Sequence, residues 1–183
     1  MSKFHEKTIK SDLIFEGKVI TLQVDEVELP NGNLSKREIV KHPGAVAVIA
    51  VTPENRIIMV RQFRKPLEKT ILEIPAGKLE KGEEPLACAK RELIEETGYR
   101  ASEMKFVSSF YTSPGFADEI IHIYEAQGIQ AGVAQPDQDE FVDLVEVTLE
   151  EAFQYIQSGD IIDAKTVFAV YYWENAQLKR QEQ

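Results

Sequence analysis

Cysteine is almost absent from this chain. The 183 residues include one, Cys88, so an intrachain disulfide is impossible and a thiolate zinc site cannot be built. Histidine is also sparse. His5, His42 and His122 are scattered and none is assigned to catalysis. No apolar run approaches the roughly 20 residues that cross a bilayer. Met1 to Lys10 is polar and charged, without the apolar core of a secretory signal. Positive charge is in deficit, with 21 Lys and Arg against 31 Asp and Glu, a formal charge of −10. Such a surface repels phosphate backbones and anionic lipid, so nonspecific nucleic-acid or membrane binding is not expected. A small anionic ligand is still allowed, because a metal ion and a few arginines can reverse the sign of one pocket. A cytoplasmic protein is the default expectation.

What the chain does have is ordinary globular composition, 43% hydrophobic, with no internal repeat and no low-complexity linker. One domain over 1–183 is expected, with 1–43 as N-terminal strands and 44–183 as the core. Lys18 to Leu29 alternates, with Val19, Thr21, Gln23 and Asp25 set against Ile20, Leu22 and Val24. Pro30-Asn31-Gly32-Asn33 is a turn signal, and Leu34 to Lys41 resumes extended character. This polar hairpin suits the periphery or a partner subunit. Ala45 to Val51 is an unbroken apolar run, expected of a strand buried on both faces. Further strands are expected at Arg56–Gln62, Phe106–Tyr111, Ile120–Ala126 and Val142–Val147, and a short apolar segment at Ile71–Ile74.

Pro85 to Thr97 is the clearest helix, with proline in its first turn and Gly98 just past its end. Leu149 to Ser158 and Asp163 to Gln177 are also expected to be helices. In the latter, Ala164, Val167, Phe168, Tyr171 and Tyr172 read as the core face. The mixture indicates an α/β (α+β) fold with a mixed sheet and an N-terminal antiparallel hairpin.

The Pro85–Thr97 helix is electrostatically awkward. On a wheel of about 100° per residue, Leu86, Ala89 and Leu93 face the core. Glu92 and Glu96 lie along the edge of that stripe. Glu95 lies further toward solvent, within i, i+4 reach of Arg91. Like charges four apart cost a few tenths of a kcal/mol. Carboxylates in the last turn oppose the helix dipole at roughly 0.3–1 kcal/mol, and partial burial adds desolvation. One arginine cannot neutralise three glutamates, whereas a divalent cation removes all three penalties together. Oxygen ligands without His or Cys select Mg²⁺, with Mn²⁺ as the alternative. Taken alone, three glutamates on a helix are more often a solvated acidic face; the surrounding spacing decides otherwise.

That spacing is Gly77, five residues, Glu83, seven residues, then Arg91-Glu92-Leu93-Ile94-Glu95-Glu96-Thr97-Gly98-Tyr99. It resembles the Nudix box at every charged and glycine position. Tyr99 stands where the box usually carries an aliphatic residue. The strand order around the box also resembles the Nudix α/β/α sandwich. The resemblance implies a loop–helix–loop that cradles one to three Mg²⁺ and hydrolyses a nucleoside diphosphate linked to another group. It implies Glu92, Glu96 and the Ala76 carbonyl as metal ligands, and Glu95 as a water-mediated ligand or base. Glu83 and Arg91 would lock loop to helix, with Gly77 and Gly98 shaping the backbone.

Outside the box, Ser113-Pro114-Gly115-Phe116 places Pro114 sixteen residues after Gly98. With Arg37-Glu38, His42-Pro43-Gly44-Ala45, Gln62-Phe63-Arg64 and Glu73-Ile74-Pro75-Ala76-Gly77, it is similar to bacterial ADP-ribose pyrophosphatases of that family. That similarity implies Arg64 on the pyrophosphate, whose oxygens a guanidinium fork matches. It implies Arg37 against the adenine with Glu38 nearby, and Ser113 and Glu119 near the terminal ribose or the other subunit's site. The acidic stretch Asp137-Gln138-Asp139-Glu140 would supply the general base or a further metal ligand, with Glu140 favoured, Asp139 next and Asp137 open. The reaction implied is Mg²⁺-dependent attack of a water on one phosphorus, releasing AMP and ribose 5-phosphate. Another nucleoside diphosphate sugar or a dinucleoside polyphosphate is the alternative substrate. A nucleotide-sensing module without turnover is the alternative of another class, against which all box glutamates are present. The family also implies a homodimer in which the N-terminal strands cross between subunits.

Overall fold

The computed structural model describes residues 3–134 and 141–181. The chain forms two compact units, Met1–Gly44 with Phe110–Ile120, and Ala45–Ser109 with Ile121–Gln183.

The first unit is built on a three-stranded antiparallel sheet of β1 (Lys7–Glu16), β2 (Thr21–Glu28) and β3 (Leu34–Lys41), in the order β1-β2-β3. The expected hairpin is present as β2 and β3, registered from Thr21 opposite Lys41 to Glu28 opposite Leu34. The strand β1 has no counterpart in the sequence reading. Its polar and apolar residues do not alternate, and all ten are exposed, including Ile9, Leu13, Ile14 and Phe15. Alternation in β2 is also resolved unexpectedly, because Asp25 and Val27 are its buried residues. The Asp25 carboxylate is accommodated by donors, accepting from Ser11 Oγ at 2.6 Å and Gln23 Nε2 at 2.9 Å. The 110–120 segment joins this unit through a bridge from Val40 to Ala117.

The second unit contains a mixed four-stranded sheet and a three-stranded antiparallel one. Strand β4 (Ala45–Ala50) is buried at all six positions, as its unbroken apolar run requires. It runs antiparallel to β7 (Ala76–Lys78) and parallel to β9 (Ile120–Gln127), in the order β7-β4-β9-β8, with β8 spanning Glu103–Tyr111. The other sheet, β10-β5-β6, comprises β10 (Asp143–Val147), β5 (Ile57–Arg64) and β6 (Lys69–Glu73). Helix α1 (Pro85–Thr97) lies on the β4 and β7 side, while α2 (Leu149–Ser158) and α3 (Ala164–Gln181) pack on one another. The result is the mixed α/β architecture that the sequence indicated.

Two helix faces differ from expectation. In α1, Ala89 and Leu93 are buried but Leu86 is exposed, because the helix sinks into the core only from Cys88 onward. In α3, the buried residues include Thr166, Ala169, Val170 and Trp173, while Ala164 and Tyr171 are exposed. Phe168, Tyr171 and Tyr172 instead line an open groove with Lys105 and Lys179. The helical spacing has the correct period for α3 but the wrong phase, because small residues and one tryptophan take the inner face.

Candidate active site

Helix α1 starts at Pro85, which fixes φ where no intrahelical donor is needed. It ends at Gly98, whose φ of 75° is the left-handed conformation glycine adopts freely and whose N–H donates to the Ile94 carbonyl at 2.8 Å. Gly98 also needs to be small. A Cβ there would collide with the backbone of Val133 and Ala134, which pack on the helix end.

Glu92 and Glu96 are 7% and 4% exposed, and both carboxylates meet the short strand β7. Glu96 Oε2 accepts from the Ala76 N–H at 2.9 Å. Glu92 rests on Gly77 so closely that a side chain on Gly77 would occupy the carboxylate's place. Strand β7 is in turn held against β4, with Gly77 opposite Val46 and Ala76 opposite Ala47, and the Val48 N–H donates to the Pro75 carbonyl at 2.8 Å. Two buried carboxylates are thereby brought to the one stretch of backbone that carries the Ala76 carbonyl.

Arg91 is the shared cation of this cluster. Its Nε and Nη2 each reach Glu83 at 3.0 Å, and its Nη1 reaches both Glu92 and Glu95 at 2.8 Å. The paired guanidinium holds the Glu83 carboxyl far below the usual range, at about 2, and Glu83 in turn raises the Arg91 pKa. Glu83 also accepts from the Glu80 N–H at 3.0 Å, which ties the loop before the helix to the helix itself. Cys88 is buried beneath this pair, and burial pushes its thiol up to about 12, so it is an inert packing residue. Tyr99, at the position where the box departs from its usual aliphatic residue, packs its ring at the edge of the core. Its hydroxyl donates to Glu146 on β10 at 2.6 Å, and that bond raises its pKa to about 12.

One guanidinium shared among three carboxylates leaves the cluster with surplus negative charge. Glu92 of this cluster and Glu96 beside it are buried carboxylates set against the Ala76–Gly77 backbone, and all these donors are oxygen, so the residues present fit a hard divalent cation. Among the described residues no three Asp, Glu, Cys or His side chains are grouped so that they alone could hold a metal ion, and Glu92 Oε1 accepts from Arg91 Nη1 at 2.8 Å.

Arg64 ends β5, and its guanidinium is clamped by Glu73, Nε to Oε2 at 2.7 Å and Nη2 to Oε1 at 3.2 Å. Burial opposes its charge, but Glu73 outweighs that and Glu96 adds to the effect, so its pKa is raised. Glu73 and its second partner, Lys165, were not anticipated as site residues. A charge inside the apolar segment Ile71–Ile74 was the available signal.

Arg37, Glu38, Ser113 and Glu119 lie in the first unit. Arg37 is half-buried and paired with Glu6, Nε at 2.8 Å and Nη2 at 2.7 Å, while Glu38 is exposed. Ser113 starts a turn, its carbonyl accepting from Phe116 and Ala117. Glu119 accepts from the Thr112 hydroxyl at 2.6 Å and lies 3.7 Å from His42 Nε2. Glu140, Asp139 and Asp137 lie outside the described residues.

Comparison with known proteins agrees with this architecture. Residues 41–169 match the NUDIX domain, and residues 6–40 match the nucleoside diphosphate sugar hydrolase N-terminal domain. A methanol dehydrogenase activator of Bacillus methanolicus is 65% identical over 92% of each chain. An ADP-ribose pyrophosphatase of Bacillus subtilis (strain 168) is 60% identical over 94% of each chain. In three dimensions the fold is similar to a solved ADP compounds hydrolase, with a TM-score of 0.82 and 21% identity over 96% of this chain and 95% of that one. With the glutamate helix, its glycine cradle and this coverage agreeing, the chain belongs to the Nudix family.

Proposed function

We propose that the protein hydrolyses the pyrophosphate of ADP-ribose to AMP and ribose 5-phosphate, using Mg²⁺, with Mn²⁺ as a substitute. Nudix hydrolases are generally dependent on divalent metals. The observation that carries the reading is the pair of buried carboxylates, Glu92 and Glu96, seated on the Ala76–Gly77 backbone. The 60%-identical ADP-ribose pyrophosphatase supports the choice of substrate.

Glu92, Glu96 and the Ala76 carbonyl would hold the cation, with Glu95 as an outer ligand or base. When bound, a divalent cation neutralises phosphate oxygens and makes water a better nucleophile. Arg64 presents the guanidinium edge not taken by Glu73 to the pyrophosphate. Glu140, or Asp139, takes the proton of the attacking water. The new P–O bond forms as the bridging P–O bond breaks, and the leaving phosphate carries the electron pair. Arg37, Glu38, Ser113 and Glu119 are proposed for the adenosine and terminal ribose.

A homodimer completed by exchange of N-terminal strands is part of the proposal, supported by exposed Ile9, Leu13, Ile14 and Phe15 on β1. Sizing in solution tests it, and a monomer at assay concentration contradicts it. Among the described residues no helix is long and apolar enough to cross a membrane. A cytoplasmic, single functional domain that binds neither nucleic acid nor membrane is proposed, in keeping with the charge of −10.

The test is a panel of ADP-ribose, other nucleoside diphosphate sugars and dinucleoside polyphosphates with Mg²⁺, scored for AMP and the other nucleoside monophosphates. ADP-ribose should give the highest kcat/KM. Release of no AMP from ADP-ribose overturns the substrate assignment. The 65%-identical activator favours a second reading, activation of a methanol dehydrogenase. Addition of wild type and Glu96→Gln to such an enzyme tests it, and unchanged dehydrogenase rates dismiss it.

A further inference from the structure

Glu73 is 2% exposed and Lys165, two residues into α3, is 8% exposed. Burying both charges is expensive, and an apolar pair of similar volume is often as stable or more so. Fold stability alone therefore gives a weak reason for this pair. Its geometry gives a better one.

Lys165 Nζ donates to Glu73 Oε1 at 2.6 Å and to Asp163 Oδ1 at 2.8 Å. Glu73 thus accepts from Lys165 and, through both oxygens, from Arg64. The clamp occupies Nε and Nη2 of Arg64. The side chain is nevertheless 40% exposed and feels the charge of Glu96. The same turn of α3 also holds the cleft backbone, because Thr166 Oγ1 accepts the Ile74 N–H at 3.1 Å, two residues before Ala76. Asp163 caps that turn, accepting from the Thr166 N–H at 3.2 Å.

With Arg64 alone, Glu73 would form a one-to-one ion pair and spend the guanidinium's attraction for other anions. A second cation on Glu73 leaves Arg64 fixed in direction yet still attractive to a phosphate. We propose that Lys165, acting through Glu73, is a positioning residue that orients Arg64 as a pyrophosphate-binding fork. This inference rests on the proposed role of Arg64 in binding the pyrophosphate.

The test is a double-mutant cycle with Arg64→Ala and Lys165→Met, read as KM and kcat for ADP-ribose with Mg²⁺. The same four proteins are titrated calorimetrically with inorganic pyrophosphate and Mg²⁺. Lys165→Met should raise KM and the pyrophosphate Kd about tenfold, the worth of a well-oriented charged hydrogen bond, with a smaller change in kcat. In the Arg64→Ala background it should add nothing, and Lys165→Arg should recover most of the loss. Multiplying effects of the two substitutions, or an unchanged KM and Kd in Lys165→Met, overturn the inference. Should Lys165→Met fail to fold, Lys165→Gln, which keeps a hydrogen-bond donor but removes the charge, replaces it in the cycle with the same expectations. Wild type that binds pyrophosphate without releasing AMP from ADP-ribose defeats the proposed function and leaves the cycle on pyrophosphate to decide this one.

Discussion

Two charge clusters in the same unit are built on opposite plans. Around Arg91, one cation is divided among Glu83, Glu92 and Glu95. Around Glu73, one carboxylate is divided between Arg64 and Lys165. The first sets three carboxylates on one guanidinium, where the proposed metal would add positive charge; the second gives its carboxylate two cations and leaves one edge of Arg64 outside the clamp. A phosphoanhydride hydrolase needs both, an acidic cradle for the metal and a fixed cation for the phosphates. What separates the two clusters is the ratio of cations to carboxylates, not the number of charges.

The contrast can be broken from either side. Gly77→Ala should have the largest effect, because the added methyl displaces the Glu92 carboxylate. Activity should fall at least about a hundredfold, the scale of losing one preorganised electrostatic group, as measured by kcat/KM. Next comes Glu73→Leu, which leaves Lys165 buried without its main partner. Denaturant melts should show a loss of about 3–5 kcal/mol, much of it restored when Lys165→Met is added. Glu83→Gln removes a partly buried charged bond and should cost about 1–3 kcal/mol. It also sharpens the pH dependence. The Glu83 pKa lies at about 2, below its ordinary 4.5, so its stabilisation is complete above 4.5 and is lost as pH falls through about 2. The substituted protein should lack that acid limb, and an unchanged limb assigns it elsewhere. Tyr99→Phe should be mildest, costing about 1–2 kcal/mol for the bond to Glu146, with kcat unchanged.

The parts legible in the sequence were those set by local spacing. Gly77, Glu83 and the Arg91–Gly98 run lie within one loop and one helix, so their order along the chain carries their geometry. The unbroken apolar run of β4 and the turn between β2 and β3 were equally local. Long-range matters were not legible. Lys165 meets Glu73 across 92 positions, and neither residue announces the other. Strand β1 exposes all its residues and so has no burial pattern to read. In α3, aromatic residues at helical spacing attracted the core assignment, whereas Thr166, Ala169 and Val170 take the inner face. The choice of phase depends on what the helix packs against, which the helix's own residues do not encode.

Glu92 and Glu96 are proposed to hold the metal at which a phosphoanhydride bond is hydrolysed. The direct measurement is AMP release from ADP-ribose by wild type and Glu96→Gln, each with Mg²⁺ and with excess chelator, on proteins shown to be folded by circular dichroism. Wild type with Mg²⁺ should turn over. The chelated enzyme should be inactive, and Glu96→Gln should be reduced by about 10²-fold or more while keeping its melting temperature. Full activity of Glu96→Gln, or equal rates with and without metal, would contradict the account.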